Sequence, residues 1–156
     1  MNCIGIRVTP KTIFFSIVKV ENENFSIITT EKIIVPVSMD VPDQLSFIRT
    51  TLFSVIKEYQ VIHAGLRRME DNARSGRLEP IIKRAYLEGV IQELISNCSI
   101  EKYFSGKLSQ ISCFLKIKDI KSCVEGDANI YRIEDWNSYA KEERESIVCA
   151  LAASTL

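Results

Sequence analysis

The sequence is poor in the residues from which recognisable sites are usually built. It has one histidine, His63, and five cysteines in 156 residues. Cys3, Cys98, Cys113, Cys123 and Cys149 form no C-x-x-C pair. Their odd number and scatter exclude a disulfide framework, and with a single histidine they make no zinc ligand set. Six glycines, spread singly, build no phosphate-cradling loop. Charge of one sign is also missing: 20 basic residues balance 20 acidic ones. The global field therefore gives no push toward nucleic acid or membrane, and any preference is local. No stretch approaches eighteen uncharged apolar residues, and the start lacks a basic region followed by a long apolar run. No membrane association is expected, and a reduced, cytoplasmic setting is the default.

What is present reads as one ordinary domain spanning residues 1–156. Apolar residues make up 46% and charged residues 26%, an ordinary globular balance. A chain of this length buries roughly 68–70% of its unfolded surface. Residues 3–8 and 12–20 read as two strands joined by the tight turn Thr9-Pro10-Lys11-Thr12. A polar turn at Glu21-Asn22-Glu23-Asn24 leads into a third strand over 24–35, rich in β-branched residues. Together they predict an antiparallel meander.

Pro36 to Pro42 breaks that pattern. Leu45, Ile48, Leu52, Val55, Ile56 and Tyr59 then recur at spacings of three and four, predicting an amphipathic helix with Asp40 as N-cap and Pro42 in the first turn. The apolar run Val61–Leu66 predicts a fourth strand, reached by a right-handed crossover and so parallel to its predecessor. After a polar stretch from Arg67 to Gly76, a second helix is marked by Leu78, Ile81, Ile82, Ala85, Tyr86, Gly89, Val90 and Leu94. Gly89 on its buried face implies close approach to the sheet. Residues 98–104 fit a short fifth strand, Lys107–Ile117 a helix, Lys118–Tyr131 a loop around Glu125-Gly126-Asp127, and Ser138–Ala153 a last helix with a buried second half.

Three antiparallel strands, helix, strand, helix, strand and helices is the RNase H-like order, a mixed α/β sheet with helices on both faces. Particular positions sharpen it. Ile4-Gly5-Ile6-Arg7 resembles the Gly-Ile-Asp opening of the RuvC-type Holliday-junction resolvases. Ala64-Gly65-Leu66-Arg67 resembles their Ala-Ile-Glu on the fourth strand, and Glu142-Glu143-Arg144-Glu145-Ser146-Ile147 sits where their last helix carries two acids three residues apart. Cys3-Ile4-Gly5-Ile6 and Leu66-Arg67-Arg68-Met69-Glu70 are also similar to a short, uncharacterised bacterial RNase H-like family lacking the catalytic aspartate. Two alternatives fail. An actin-like ATPase needs two such domains and glycine-rich loops, and a Rossmann enzyme needs G-x-G-x-x-G where this chain has Gly5 alone.

The resemblance implies metal-dependent phosphodiester chemistry, which needs carboxylates from several elements converging on cations about 3.5–4 Å apart. The residues read against it. Arg7 holds the slot of the first-strand acid, and a guanidinium is permanently charged. Leu66 replaces the fourth-strand acid in the simplest register, with Glu70 or Asp71 reaching the site only by a slip. Glu142 and Glu145, three apart, share a helix face. Arg7 reads as a strand residue at the sheet edge, as an anion contact, or as a cation paired with a terminal-helix acid such as Glu145 in place of the metal.

From Arg67 to Arg84 lie six cations (Arg67, Arg68, Arg74, Arg77, Lys83, Arg84) and three acids, a local balance of +3 against −3 for the remainder. Arginine suits phosphate because its fork bonds bidentately. A second cluster, Lys107, Lys116, Lys118 and Lys121, reads as solvated. His63 and the cysteines in apolar runs read as core, and Trp136 as a packing anchor or a partner contact.

Two functions follow. The first is a non-catalytic binding module for nucleic acid or a partner protein, through Arg7, Arg67, Arg68, Arg74 and Arg77, with no cofactor. The second is a divergent structure-selective nuclease using Mg²⁺ with Glu70, Glu142 and Glu145. Either is compatible with a homodimer, because resolvase-like folds often pair.

Overall fold

The apolar, β-branched runs of the first 34 positions form the expected meander, β1 (Asn2–Val8), β2 (Thr12–Glu21) and β3 (Asn24–Ile34). The computed structural model describes residues 1–22, 24–70, 77–129 and 131–156. The β1–β2 turn is closed by Thr9, whose hydroxyl donates to the Thr12 carbonyl at 2.9 Å and accepts from the Thr12 amide at 3.0 Å. β3 is an edge strand, shifted in register against β2 between Ile17 and Val18.

Helix α1 (Val41–Glu58) buries Gln44, Ile48, Leu52 and Ile56. Asp40 sits at its N-cap with extended backbone, but its side chain makes no capping bond. β4 (His63–Arg67) returns parallel to β1, and β5 (Lys102–Gly106) parallel to β4, giving the order β3-β2-β1-β4-β5. The fifth strand thus begins at Lys102, later than the expected start at Cys98. Between them runs α2 (Leu78–Asn97), followed after β5 by α3 (Leu108–Leu115), α4 (Ile120–Glu125), a short 3-10 turn at Trp136–Ser138, and α5 (Lys141–Ala153). The expected loop over 118–131 therefore contains α4. Asp119 caps it by accepting from the Ser122 amide at 3.1 Å, and Gly126 ends it at φ +96°, a conformation that favours glycine.

The strands separate two cores. Ile4, Ile6, Val8, Ala64 and Leu66 pack with α1 and α2, whereas Cys3 and Val18 pack with α3, α4 and α5. Sequence phase failed on α2. It buries Leu87, Ile91, Leu94 and Ile95, while Leu78, Ile82 and Tyr86 are exposed. Gly89 is exposed, and an added Cβ there would meet nothing within 4 Å. The close approach belongs to other glycines, described below. Trp136 is a packing anchor, 3% exposed, its indole N–H donating to the Cys123 carbonyl at 3.0 Å. His63 is likewise structural, with Nδ1 bonded to the Ala153 carbonyl at 3.0 Å.

Cys3 and Cys149 are fully buried. Burial pushes the Cys149 thiol from 9.0 up to about 12, and that of Cys3 from 9.0 up to about 11. Above pH 9.0 the unfolded thiols ionise while the folded ones stay neutral. Their contribution to stability is therefore complete below pH 9.0 and lost as pH rises through the folded values. The urea midpoint of the wild type is expected to fall more steeply than that of Cys149→Ala between about pH 8 and about pH 10. Parallel curves would contradict this.

Candidate functional site

Strand alternation decides which residues can meet at the middle of the sheet. In β1 and β4 the register pairs Cys3 with His63, Gly5 with Gly65 and Arg7 with Arg67. These pairs face α5, and the intervening Ile4–Ala64 and Ile6–Leu66 pairs face α1 and α2. The two glycines let the α5 backbone settle onto the sheet. A Cβ on Gly5 would overlap the Ser146 carbonyl oxygen and the Ala150 amide, and one on Gly65 would lie 2.8 Å from the Cys149 carbonyl oxygen. A buried hydroxyl pair, Ser16 and Ser146 at 2.6 Å, fixes the same helix against β2.

That seating brings Glu145, one turn before Cys149, between the two arginines. One carboxylate oxygen accepts from Arg7 Nε, and the other lies 3.5 Å from Arg67 Nη2. Arg67 Nη2 also pairs with Glu70 at 3.0 Å, and Arg67 Nη1 donates to the Arg68 carbonyl. Arg7 Nη1 donates to the Val8 carbonyl at 2.7 Å. The side chains of Arg67 and Glu145 are only 6% and 4% exposed, against 14% for Arg7. A cavity of about 280 Å³, lined by Arg67, Glu70, Glu145, Lys121 and Lys141 among others, opens beside them.

Leu66 is consequently not the residue beside Arg7. It sits a half-period out, in the opposite core, and Arg67 takes that position. Of the three candidate nuclease acids, Glu70 and Glu145 converge on Arg67. Glu142 is partly exposed and joins no ion pair among the described residues. Arg68 is half-buried and Arg77 exposed. Arg74 and Asp71 lie outside the described residues.

Sequence reasoning missed a third arginine of this cluster. Arg84, counted in the sequence as one of the six cations between positions 67 and 84, is turned inward with its side chain 12% exposed. Its Nε donates to Glu88 at 2.8 Å, and the same carboxylate oxygen accepts the Met69 amide at 3.1 Å. The i, i+4 spacing of Arg84 and Glu88 was the available signal. Burial, then the field of Arg7, pulls the Arg84 guanidinium below its ordinary value; Glu88 opposes this and Arg67 adds to it. After all these bonds, Arg67 Nε and Arg84 Nη2 remain buried without an acceptor among the described residues. Such donors cost about 1–3 kcal/mol each when left unmet.

A divalent-metal cage does not fit these residues. Two guanidiniums stand at the ends of the two central strands, and the carboxylate between them is occupied by both. Among the described residues no group of three or more His, Cys, Asp and Glu side chains is arranged to hold a metal ion. The edge has instead the chemistry of donors, at the carboxyl ends of parallel strands where open α/β sheets receive ligands.

No protein-family model matches the chain, and no curated protein sequence does. Its fold is nonetheless close to solved ones. Thermus thermophilus RuvC in complex with a Holliday junction substrate is 12% identical, with a TM-score of 0.75 over 99% of this chain and 94% of that one. The yeast mitochondrial Holliday junction resolvase Ydc2 is 13% identical, with a TM-score of 0.64 over 97% of this chain and 77% of that one. Likeness at this identity establishes architecture: this chain has the RNase H-like fold in its RuvC form, with arginines at the ends of both central strands.

Proposed function

We propose that this protein is a RuvC-like nucleic-acid-binding module that recognises branched DNA without cleaving it. The observation that carries the reading is Glu145 held between Arg7 and Arg67. A guanidinium pair neutralises the remaining carboxylate as metals would, but it supplies no Lewis acid and no activated water. Binding is then left to the cations around the edge. Arg68 and Arg77 are the accessible arginines of the predicted set, whereas Arg67 is enclosed and acts as a support. The exposed Leu78, Ile82 and Tyr86 on α2 support pairing of two copies as part of the same reading.

The test is a labelled four-way junction and a linear duplex of equal length, titrated across a salt series with and without Mg²⁺ or Mn²⁺. Binding that weakens linearly in log salt is expected, tighter for the junction, with both strands intact after incubation. Absence of salt-sensitive binding removes the nucleic-acid role and leaves a protein partner. Metal-dependent cleavage lost in Glu145→Gln would replace the reading by the divergent nuclease with Glu70, Glu142 and Glu145.

A further inference from the structure

Glu70 occupies a place furnished for an anion. Its Oε1 lies 3.0 Å from Nη2 of Arg67 and accepts the Leu108 amide at 3.2 Å. Leu108 opens α3, so its N–H is one of those that a helix leaves without an internal partner at its positive end. Arg67 is only 5% exposed, and its Nε has no acceptor among the described residues. In a guanidinium the N–H of Nε runs parallel to one N–H of Nη2, and together they make the fork edge that binds two oxygens at once. Glu70 and Glu145, the carboxylates next to Nη2, both line the cavity of about 280 Å³, as Arg67 itself does. The unmet Nε thus lies beside the atom that both cavity carboxylates approach.

Of the two carboxylates, Glu70 is the replaceable one. Its side chain is 47% exposed, so its pairing is screened and weak, whereas that of Glu145 is 4% exposed and is also held by Arg7. One oxygen of Glu70 takes both contacts, although the donors are spread over a guanidinium edge and a backbone amide. Lys121, on the same cavity wall, joins no ion pair among the described residues and acts on Glu125 only through its field. A phosphate brings more oxygens than a planar carboxylate, in a tetrahedral arrangement and with more charge. With Glu70 swung out, the wall carries Arg67, Lys121 and Lys141 against Glu125 and Glu145, an excess of one cation.

We propose that Glu70 is a displaceable plug in a phosphate site: a phosphate group takes its place on the Arg67 fork and the Leu108 amide, with Lys121 contributing from the cavity wall. Arg67 is a support while the plug is in, and a ligand-binding group once it leaves. The chain's own carboxylate thereby sets the affinity of the site, and metal has no part in the contact. A nucleic-acid strand as the source of the phosphate rests on the reading above, whereas the exchange of one anion for another does not.

The experiment compares the full chain with Glu70→Ala, Glu70→Gln and Glu70→Ala/Lys121→Gln. Glu58→Ala controls for net charge, because Glu58 ends α1 shortly before β4 begins, whereas Arg67 closes that strand. Thermal unfolding in inorganic phosphate against chloride at matched ionic strength is read first. Glu70→Ala is expected to reach a given midpoint rise at about tenfold lower phosphate than the wild type, because no fraction of the site is then closed. Adding Lys121→Gln is expected to remove part of that gain. Glu70→Gln, which keeps an oxygen for the Leu108 amide, moves in the same direction and decides the matter where the alanine variant fails to fold. An equal gain in Glu58→Ala, or no gain in either Glu70 variant, overturns the site and leaves nucleic-acid binding untouched. Titration of the labelled junction and duplex then assigns the source. Binding by Glu70→Ala about tenfold tighter than wild type, with the slope of log affinity against log salt steeper by roughly 1, puts a strand phosphate there. A gain with inorganic phosphate beside wild-type DNA affinity keeps the site and assigns it to a free phosphate or phosphate monoester. If neither wild type nor variant binds DNA, the nucleic-acid reading fails and the phosphate result alone decides the site.

Discussion

Glu145→Ala is expected to lower stability by roughly 3–5 kcal/mol, the cost of leaving buried charges without their partner. For a domain of this size that is a fall in unfolding midpoint of about 6–20 °C. The carboxylate is the ion-pair partner of both Arg7 and Arg67, and its side chain is 4% exposed. Removing it leaves Arg7 with no carboxylate among the described residues, only the Val8 carbonyl, and leaves Arg67 with the Arg68 carbonyl and the rim carboxylate of Glu70. Replacing all three charges, as Arg7→Met, Arg67→Met and Glu145→Leu, is expected to recover most of the loss, since no buried charge then lacks a partner. Thermal unfolding of the single and triple variants checks both statements. A Glu145→Ala protein as stable as the wild type would show that the pair does not hold the last helix, and would remove the main support for a cation in place of a metal.

The second large effect is steric. Gly5→Ala places a methyl group against the Ser146 carbonyl and the Ala150 amide, and 2.9 Å from the Ala150 Cα. All three are backbone atoms, so no side chain can swing aside. Overpacking usually costs about 1–3 kcal/mol, and a clash with backbone on the buried stretch of α5 from Arg144 to Ala153 lies at or beyond the upper end. The expected result is a chain that unfolds at much lower denaturant or is recovered insoluble. Gly89→Ala is the internal comparison. An added Cβ meets nothing within 4 Å at that position, and α2 is expected to gain about 0.5–1 kcal/mol from a better helix former. Equal effects of the two substitutions would refute the seating of α5 on β1.

Both predictions concern features that are only partly legible from residues alone. The meander is legible as apolar, β-branched runs bounded by polar turns, and α1 by apolar residues at spacings of three and four. Helix α2 was found but rotated. Leu78, Ile82 and Tyr86 and the truly buried Leu87, Ile91 and Leu94 are all apolar, so periodicity sets no unique face. Helix α4 is only six residues long and includes Ser122 and Cys123, too short for a period to register. At the site, pairing of Arg7 with a last-helix acid such as Glu145 was one of three readings the sequence allowed, and the structure selects it. The place of Arg67 does not. Whether Leu66 or Arg67 stands beside Arg7 depends on β1–β4 register, a relation between segments about sixty residues apart that neither segment encodes by itself. Arg84 was obscured for a similar reason, because its inward turn depends on how α2 lies over the end of β4.

The clasp between β1 and α5 also has a consequence in time. Arg7 and Glu145 are 138 positions apart, and the helix that covers the central strand is made after every strand of the sheet. High contact order of this kind slows folding, because the loop must close before its contacts repay the lost entropy. The opening strands of a nascent chain therefore wait, paired with each other but bare on one side, until α5 clears the ribosome. In that interval the apolar floor of the sheet is open to chaperones and to other chains alike.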